Sequence, residues 1–252
     1  MKNLLMLAIF AILASSLGSE LGDRKRRAIL KAVKPRKQVQ AAVVKAEGTS
    51  GELCNKMAPK LANTRKCCKE NVGNFFTYGN IQDCVPEDKS DKRLLSYASY
   101  YIYVFMDNEN KLDVQKMLND DAFQTVACIT QCVYKGFDLI GGDGKINYTL
   151  AAAHFSKAVP SRYRDATQPA AIMQVVTEKC RAELLAMNLT EPVTTKSGAT
   201  CTVEPLIFNQ CVRQTLLDNC PPSLATPKDP FCSKNLPILN MCRVFNTSIT
   251  YN

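Results

Sequence analysis

The chemistry available to this chain lies mainly in its cysteines. There are 12 of them in 252 residues, against 1 histidine and no tryptophan. A large, even number of cysteines is typical of proteins that fold in an oxidising compartment, where thiols pair as disulfides. A zinc site is the competing interpretation, but the cysteine spacing fits no zinc pattern. We therefore predict no metal site and six disulfides, formed by Cys54, Cys67, Cys68, Cys84, Cys128, Cys132, Cys180, Cys201, Cys211, Cys220, Cys232 and Cys242.

The other polar residues do not form a catalytic motif. His154 has no carboxylate spaced to orient it, and the sequence contains no Gly-x-Ser-x-Gly nucleophile turn. Asp143 and Gly144 suggest a calcium loop, but leucines stand where that loop needs oxygen ligands, so we predict a turn. We predict that the protein is not an enzyme and has no cofactor. His154 is interpreted either as a solvent-facing helix residue or as a pH-dependent release switch.

The N-terminus predicts secretion. Lys2 precedes an apolar run over residues 4–14, and small residues follow, which is the pattern of a signal peptide over residues 1–18. No later apolar stretch is long enough to span a bilayer, so we expect no stable membrane insertion. The mature protein is predicted to be extracellular.

Residues 19–46 form a basic arm. Nine basic and two acidic residues lie between positions 20 and 46, whereas the chain from residue 47 onward has 22 basic and 21 acidic residues. The arm has no aromatic residue to stack on a base, so we expect no binding of nucleic acid. It is predicted to be disordered; attraction to an anionic surface and cleavage at its run of four basic residues are the open alternatives.

Residues 47–252 are predicted to form one all-α domain. Apolar residues recur at intervals of three and four positions along four segments, and no alternation of strand length occurs. The four segments are residues 94–105, 122–137, 172–184 and 202–217. Pro169 and Pro205 lie near two predicted helix starts. Asn147 is the expected N-cap of a further short helix.

The cysteine positions add mechanical information. Cys128 and Cys132 lie one helical turn apart, so they share a face and can join one helix to two other segments. Cys211 and Cys220 would hold a second helix at its middle and at its end. A bond within the adjacent pair Cys67-Cys68 would be strained, so each of these two is expected to pair elsewhere.

The cysteine spacing, together with one segment, resembles the insect odorant-binding proteins. The segment over residues 128–147 is similar to the helix with paired cysteines, the turn and the following helix of that family. Three residues separate the first pair, 47 separate that pair from Cys180, and eight separate Cys211 from Cys220, which proline follows directly. This order resembles the Plus-C subgroup and covers about residues 84–242. The sequence departs from it in the long interval before the paired cysteines and in its basic arm.

The resemblance implies a compact, disulfide-stapled helical cup of about six to eight short helices, with N- and C-terminal extensions. Carried over by position, it pairs Cys84 with Cys132, Cys128 with Cys211, and Cys180 with Cys220. The six other cysteines would form three more bridges that lock the extensions onto the cup. How those six pair stays open at this stage.

The resemblance also implies a function. The protein would be a secreted carrier that binds a small hydrophobic molecule, an odorant or pheromone of about ten to sixteen carbons, in an internal apolar cavity. It would deliver this ligand to an olfactory receptor, as a monomer or as a homodimer. The alternative is a secreted interaction protein without a ligand cavity, whose basic arm or surface binds a partner protein or an anionic glycan.

Apolar residues in excess of what helix packing needs are the candidate ligand contacts, and ordinary core packing is the competing interpretation for each. They are Tyr97, Tyr101, Phe105, Met117, Phe123, Val126, Ile129, Ile172, Met173, Val176, Leu206, Phe208 and Leu216. The resemblance further implies a C-terminal lid, for which the candidates are Leu236, Ile238 and Phe245. Sequons predict N-glycosylation at Asn147, Asn188 and Asn246.

Overall fold

The computed structural model describes residues 50–69, 75–76, 78–85, 101–107, 109, 111–159, 169–189, 191–221, 223–247 and 249. The chain divides into two units, Met1–Glu47 and Gly48–Asn252, and all described residues belong to the second. The predicted signal peptide and basic arm lie outside the described residues. So do Tyr97 and the side chain of Tyr101.

The described residues are mostly helical. They form eight α-helices, two 3-10 helices and one pair of antiparallel two-residue strands. In chain order these are α1 (Ser50–Leu61), η1 (Ala62–Cys67), α2 (Tyr78–Gln82), η2 (Tyr101–Phe105), α3 (Val114–Leu118), α4 (Asp121–Gly136), α5 (Tyr148–Ala158), α6 (Pro169–Met187), β1 (Val193–Thr194), β2 (Thr200–Cys201), α7 (Glu204–Asp218) and α8 (Pro230–Met241). The predicted all-α, disulfide-stapled fold is confirmed. Within this part of the chain, no helix has both the length and the apolar character needed to cross a bilayer.

Three of the predicted helical segments correspond to observed helices. Residues 122–137 are α4, residues 172–184 lie in α6, and residues 202–217 correspond to α7. Pro169 begins α6 and Pro205 lies in the first turn of α7, where the fixed φ of proline and its missing N–H are tolerated. Of the remaining segment, residues 94–105, only residues 101–105 are described, and they form η2.

Side-chain caps explain where two of the central helices begin. Asn147 accepts a hydrogen bond from the N–H of Leu150 (3.1 Å) and starts α5, as predicted. Asp120 accepts one from the N–H of Phe123 (2.8 Å) and starts α4. A cap of this kind stabilises a helix by about 1 kcal/mol. By contrast, α7 begins after Val203 without a side-chain cap.

Helix α7 is the centre of the core. Twelve of its fifteen residues are buried, and Leu206, Phe208 and Leu216 are fully buried. It packs against α4 and α6, and α6 packs in turn against α5. These four helices therefore share one apolar core, which fixes the positions of their ends.

Six disulfides cross-link the described elements. They join Cys54 to Cys242, Cys67 to Cys232, Cys68 to Cys220, Cys84 to Cys132, Cys128 to Cys201 and Cys180 to Cys211. The implied bond between Cys84 and Cys132 is present. As the shared helix face predicts, Cys128 and Cys132 join α4 to two different segments. The adjacent Cys67-Cys68 also pair with separate partners.

Two of the implied pairings are wrong. Cys128 pairs with Cys201 rather than Cys211, and Cys180 pairs with Cys211 rather than Cys220. The reason is tertiary. Cys201 lies on β2, which packs against α4, whereas Cys211 is fully buried in the middle of α7, against α6. Among the six cysteines of these bridges, the first pairs with the third, the second with the fifth and the fourth with the sixth, as the resemblance implies. The set now includes Cys201 and ends at Cys211 instead of Cys220.

The three other bridges form a ladder between the two ends of the domain. The N-terminal cysteines at positions 54, 67 and 68 pair with those at 242, 232 and 220, so the two segments run antiparallel. The N–H of Thr226 also donates to the carbonyl of Cys67 over 2.9 Å. The ladder joins the two extensions to each other. Its six cysteines include Cys220, whereas the resemblance implied Cys201 in that set.

The ladder should make its outermost bridge partly redundant. Cys54 and Cys242 are 188 residues apart, which by chain entropy alone corresponds to about 5 kcal/mol. With the Cys67–Cys232 bridge intact, the loop that they close is only about 23 residues, worth about 3 kcal/mol. We expect the variant Cys54→Ala/Cys242→Ala to lose about 3 kcal/mol of its free energy of unfolding in urea.

The matched control is Cys180→Ala/Cys211→Ala. The bond that this variant removes joins α6 to α7 and closes a loop of 31 residues. All four cysteines of the two variants are fully buried, so the cavities left by the substitutions should cost similar free energy. The two variants should lose nearly equal stability. An excess loss of about 1.5 kcal/mol or more in the first variant would contradict the nested arrangement.

Candidate functional site

A pocket of about 400 Å³ opens to solvent where three parts of the core meet. Its walls are the turn before α5, the C-terminal end of α6 and the start of α7. The lining residues are Asp143, Gly144, Lys145, Leu184, Leu185, Asn188, Leu189, Thr202 and Glu204. The volume lies within the range of small-ligand pockets, about 300–1,000 Å³.

The apolar wall of the pocket comes from the end of α6. Leu184 is buried and Leu189 is half-buried, whereas Leu185 is 73% exposed. A single exposed leucine is ordinary on a protein surface. Beside a concave wall, however, it adds apolar area that a ligand can cover.

Thr202 lines the same pocket and carries a polar group without a partner among the described residues. Its backbone N–H donates to Oε1 of Gln131 on α4 over 2.7 Å, which fixes the residue. Its side-chain hydroxyl oxygen is buried and has no hydrogen-bond partner among the described residues. A buried polar group without a partner costs about 1–3 kcal/mol. Because this oxygen is closed off from solvent, a ligand in the pocket would bond to it only after the threonine side chain turns.

Glu204 is held at the rim by a tyrosine of α5. The hydroxyl of Tyr148 donates to Oε1 of Glu204, and its ring packs edge-on against Phe208 with the centroids 5.2 Å apart. The guanidinium of Arg181 lies 5.3 Å from the centre of the same ring. Burial, and then the bond to Glu204 and its charge, raise the pKa of Tyr148 above its ordinary value. The tyrosine therefore stays protonated and keeps donating to Glu204.

The turn before α5 forms the third wall. The N–H of Gly141 donates to the carbonyl of Lys145 (2.8 Å), and Oδ1 of Asp143 accepts from the N–H of Lys145 (3.0 Å). Gly144 has a φ of 77°, a left-handed conformation that glycine adopts without strain. The predicted turn is confirmed. The side chains of Asp143 and Lys145 are exposed at the pocket.

The predicted ligand contacts lie elsewhere, in the packed core. The candidates with described side chains are at most 5% exposed, and none of them lines this pocket. Phe105, for example, packs edge-on against Phe123 with the centroids 5.8 Å apart. These side chains meet one another because the apolar stripes on which they lie are the faces that pack helix against helix. The predicted lid residues belong to α8 and the tail after it, and they do not line the pocket either.

His154 lies in an aromatic cluster, which consists of Phe75, Phe76, Tyr134, Phe137, His154 and Phe155. The histidine is half-buried, so the interpretation as a solvent-facing residue is wrong. Its ring centre is 4.6 Å from that of Phe137, and Nε2 is 3.3 Å from the carbonyl oxygen of Phe75. The histidine does not line the pocket.

Tyr134 is a polar core residue that the sequence reasoning missed. It is fully buried, its hydroxyl has no hydrogen-bond partner among the described residues, and burial raises its pKa well above the ordinary value. It follows Val126 and Thr130 at intervals of four along α4. Its burial was therefore readable from the helical pattern, whereas the missing partner depends on tertiary packing.

The three predicted glycosylation sites differ in their relation to the pocket. Asn147, Asn188 and Asn246 are all exposed. Asn188 lines the pocket, and the other two do not.

No family model, no curated protein and no solved structure matches the chain. The odorant-binding resemblance, which is based on cysteine spacing and one segment, stays a prediction. The lining residues are therefore what indicates the chemistry of the pocket.

The buried hydroxyl of Tyr134 predicts an unusual response to mutation. Tyr134→Phe removes a buried polar group that has no partner in the described part of the chain, so we expect the free energy of unfolding to rise by about 1 kcal/mol. The matched control is Tyr148→Phe, which breaks the bond to Glu204 and should lower that free energy by about 1 kcal/mol. Urea unfolding of both variants measures the difference. Destabilisation by Tyr134→Phe as large as that of the control would contradict the unpartnered state of the hydroxyl.

Proposed function

We propose that this protein is a secreted carrier of small amphipathic molecules, of the odorant or pheromone class, which it holds in the pocket at the ends of α6 and α7. The observation that carries the proposal is the pocket itself, because three leucines line it together with the polar residues Lys145, Thr202 and Glu204. The apolar body of the ligand would cover Leu184, Leu185 and Leu189. Its oxygen would lie at the polar end of the pocket, where the hydroxyl of Thr202 would turn to bond to it.

The size of the pocket supports a ligand of this class. A volume of about 400 Å³ holds about thirteen atoms the size of a water molecule, at about 30 Å³ each. That number falls within the predicted range of about ten to sixteen carbons.

The covalent framework also supports the proposal. Six disulfides among the described residues fit the oxidising compartment that the N-terminal sequence predicts. Of the three bridges that the odorant-binding resemblance implies, Cys84–Cys132 is present, whereas Cys128 and Cys180 pair with Cys201 and Cys211. The shared bridge and the interlocked order support the resemblance, and the two changed partners count against a residue-by-residue match.

Energetics favour reversible binding. A ligand that buries about 250 Å² of apolar surface in an open pocket gains about 6 kcal/mol, from which the cost of lost freedom is subtracted. Apolar burial alone therefore leaves an affinity in the millimolar range or weaker. Polar contacts at the pocket would have a large share in deciding which molecules bind.

A substitution in the apolar wall tests the location of the site. Leu185→Asp places a charge where the apolar body of the ligand would lie, and Leu185 is exposed enough for the variant to fold. We expect the dissociation constant of the fluorescent probe N-phenylnaphthylamine to rise by about tenfold. Fluorescence titration of the full chain measures this.

Val175→Asp is the matched control, because Val175 lies on the same helix, is 47% exposed and does not line the pocket. It should leave probe binding unchanged. Equal loss in both variants would reject this pocket as the site. If the wild-type chain ignores the probe but is retained on heparin until residues 20–46 are deleted, the alternative of a glycan-binding interaction protein is favoured instead.

A second substitution tests the polar end of the site. Thr202→Val removes the hydroxyl and keeps the branched shape, so an aliphatic alcohol should bind about three- to tenfold more weakly. The hydrocarbon of equal length should be unaffected. Competition against the fluorescent probe measures both. If Thr202→Val weakens the two competitors equally, the hydroxyl does not contact the ligand.

A further inference from the structure

The rim of the pocket contains a sequence that the secretory pathway modifies. Asn188, Leu189 and Thr190 form an Asn-x-Thr acceptor for N-linked glycosylation. Asn188 and Leu189 line the pocket, and Asn188 is exposed. The acceptor amide and the apolar wall of the pocket are therefore part of the same short segment.

The backbone explains why Asn188 stands at the surface. Helix α6 ends at Met187, and Asn188 follows with a φ of 49°, in the left-handed region. Its N–H donates to the carbonyl of Leu185 over 3.3 Å, which closes the last turn. Asparagine and glycine are the residues that most readily adopt this conformation at a helix end. The residue thus has a structural role that any test must separate from modification.

We propose that an N-linked oligosaccharide on Asn188 covers the mouth of the pocket and limits the entry of ligand. The effect on ligand entry rests on the proposed carrier function, whereas the position of the glycan does not. In the transfer, Nδ2 of Asn188 forms a bond to the anomeric carbon of the sugar. The bond from that carbon to a lipid-linked pyrophosphate donor breaks, the amide loses one proton, and the lipid pyrophosphate leaves.

The other two acceptors provide an internal comparison. At Asn147, Oδ1 accepts from the N–H of Leu150, so the residue caps α5 and does not line the pocket. Asn246 follows α8 and does not line it either. A glycan at these positions should leave the pocket accessible.

Two variants remove the acceptor at Asn188 in different ways. Thr190→Ala destroys the acceptor sequence and leaves Asn188 in place. Asn188→Gly removes the amide and keeps the preference for a left-handed backbone. Thr149→Ala and Ser248→Ala are matched controls, because they delete the acceptors at Asn147 and Asn246 without changing either asparagine.

The experiment compares full-length proteins secreted from a glycosylating cell line. Peptide mass mapping measures occupancy at Asn188. Stopped-flow mixing with N-phenylnaphthylamine measures the association rate, and we expect Thr190→Ala and Asn188→Gly to bind the probe about tenfold faster than wild type. The two controls should match wild type.

Labelling of Lys145 gives a readout that needs no ligand. This exposed lysine lines the pocket, whereas Lys135 on α4 is exposed and does not. A succinimidyl ester should label Lys145 several-fold more slowly in the glycosylated protein than in Thr190→Ala, and should label Lys135 equally in both.

The outcomes separate the inference from the proposed function. An unoccupied Asn188, or an occupied one that changes neither Lys145 labelling nor the association rate of the probe, overturns the inference and leaves the carrier function standing. Slow Lys145 labelling without probe binding in any variant places the glycan at the mouth but rejects the carrier function, and with it the role in ligand entry. Changes in both measurements for Thr190→Ala and Asn188→Gly alone support the inference.

Discussion

Two disulfides determine where the pocket walls lie. The Cys180–Cys211 bond joins the middle of α6 to the middle of α7, and the Cys128–Cys201 bond ties α4 to the residue directly before Thr202. Such bonds stabilise the fold mainly by restricting the unfolded chain, so they need no further apolar burial at the pocket itself. The ends of α6 and α7 can therefore stay apart without side chains filling the space between them, and Leu185 can remain largely exposed.

The sequence predicted local structure better than long-range contacts. Helical periodicity placed α4, α6 and α7, and the chemistry of Pro169 and Asn147 placed two helix starts, because these features depend on neighbouring residues alone. The pairing of Cys128 depends instead on the short strand β2 packing against α4. Two residues leave no periodic pattern, so the bond to Cys201 could not be distinguished from one to Cys211.

The residues predicted as ligand contacts lie on packing faces of the helices and not at the pocket. An apolar stripe identifies the face that one helix buries against another, and residues such as Phe123 and Met173 are accordingly buried among core side chains. Pockets form where elements end and packing stops. Leu185 lies in the last turn of α6, Asn188 follows that helix in a left-handed conformation, and Thr202 precedes α7. The sequence feature that could have indicated this pocket is a leucine in the last turn of a helix, with an asparagine directly after the helix.

An open pocket changes what ligand release requires. A carrier with an enclosed cavity must open its fold to release the ligand, and the six disulfides of this chain would oppose such a motion. In the proposed carrier, one wall of the site includes Leu185, which is 73% exposed, so a ligand would leave without rearrangement of the core. The rate of dissociation is then set by the strength of the interactions between the ligand and the rim. His154 is held in the aromatic cluster and does not line the pocket, so it is poorly placed to control those interactions. Under the proposed function, control of access would therefore act at the mouth, where Lys145 and Asn188 are exposed.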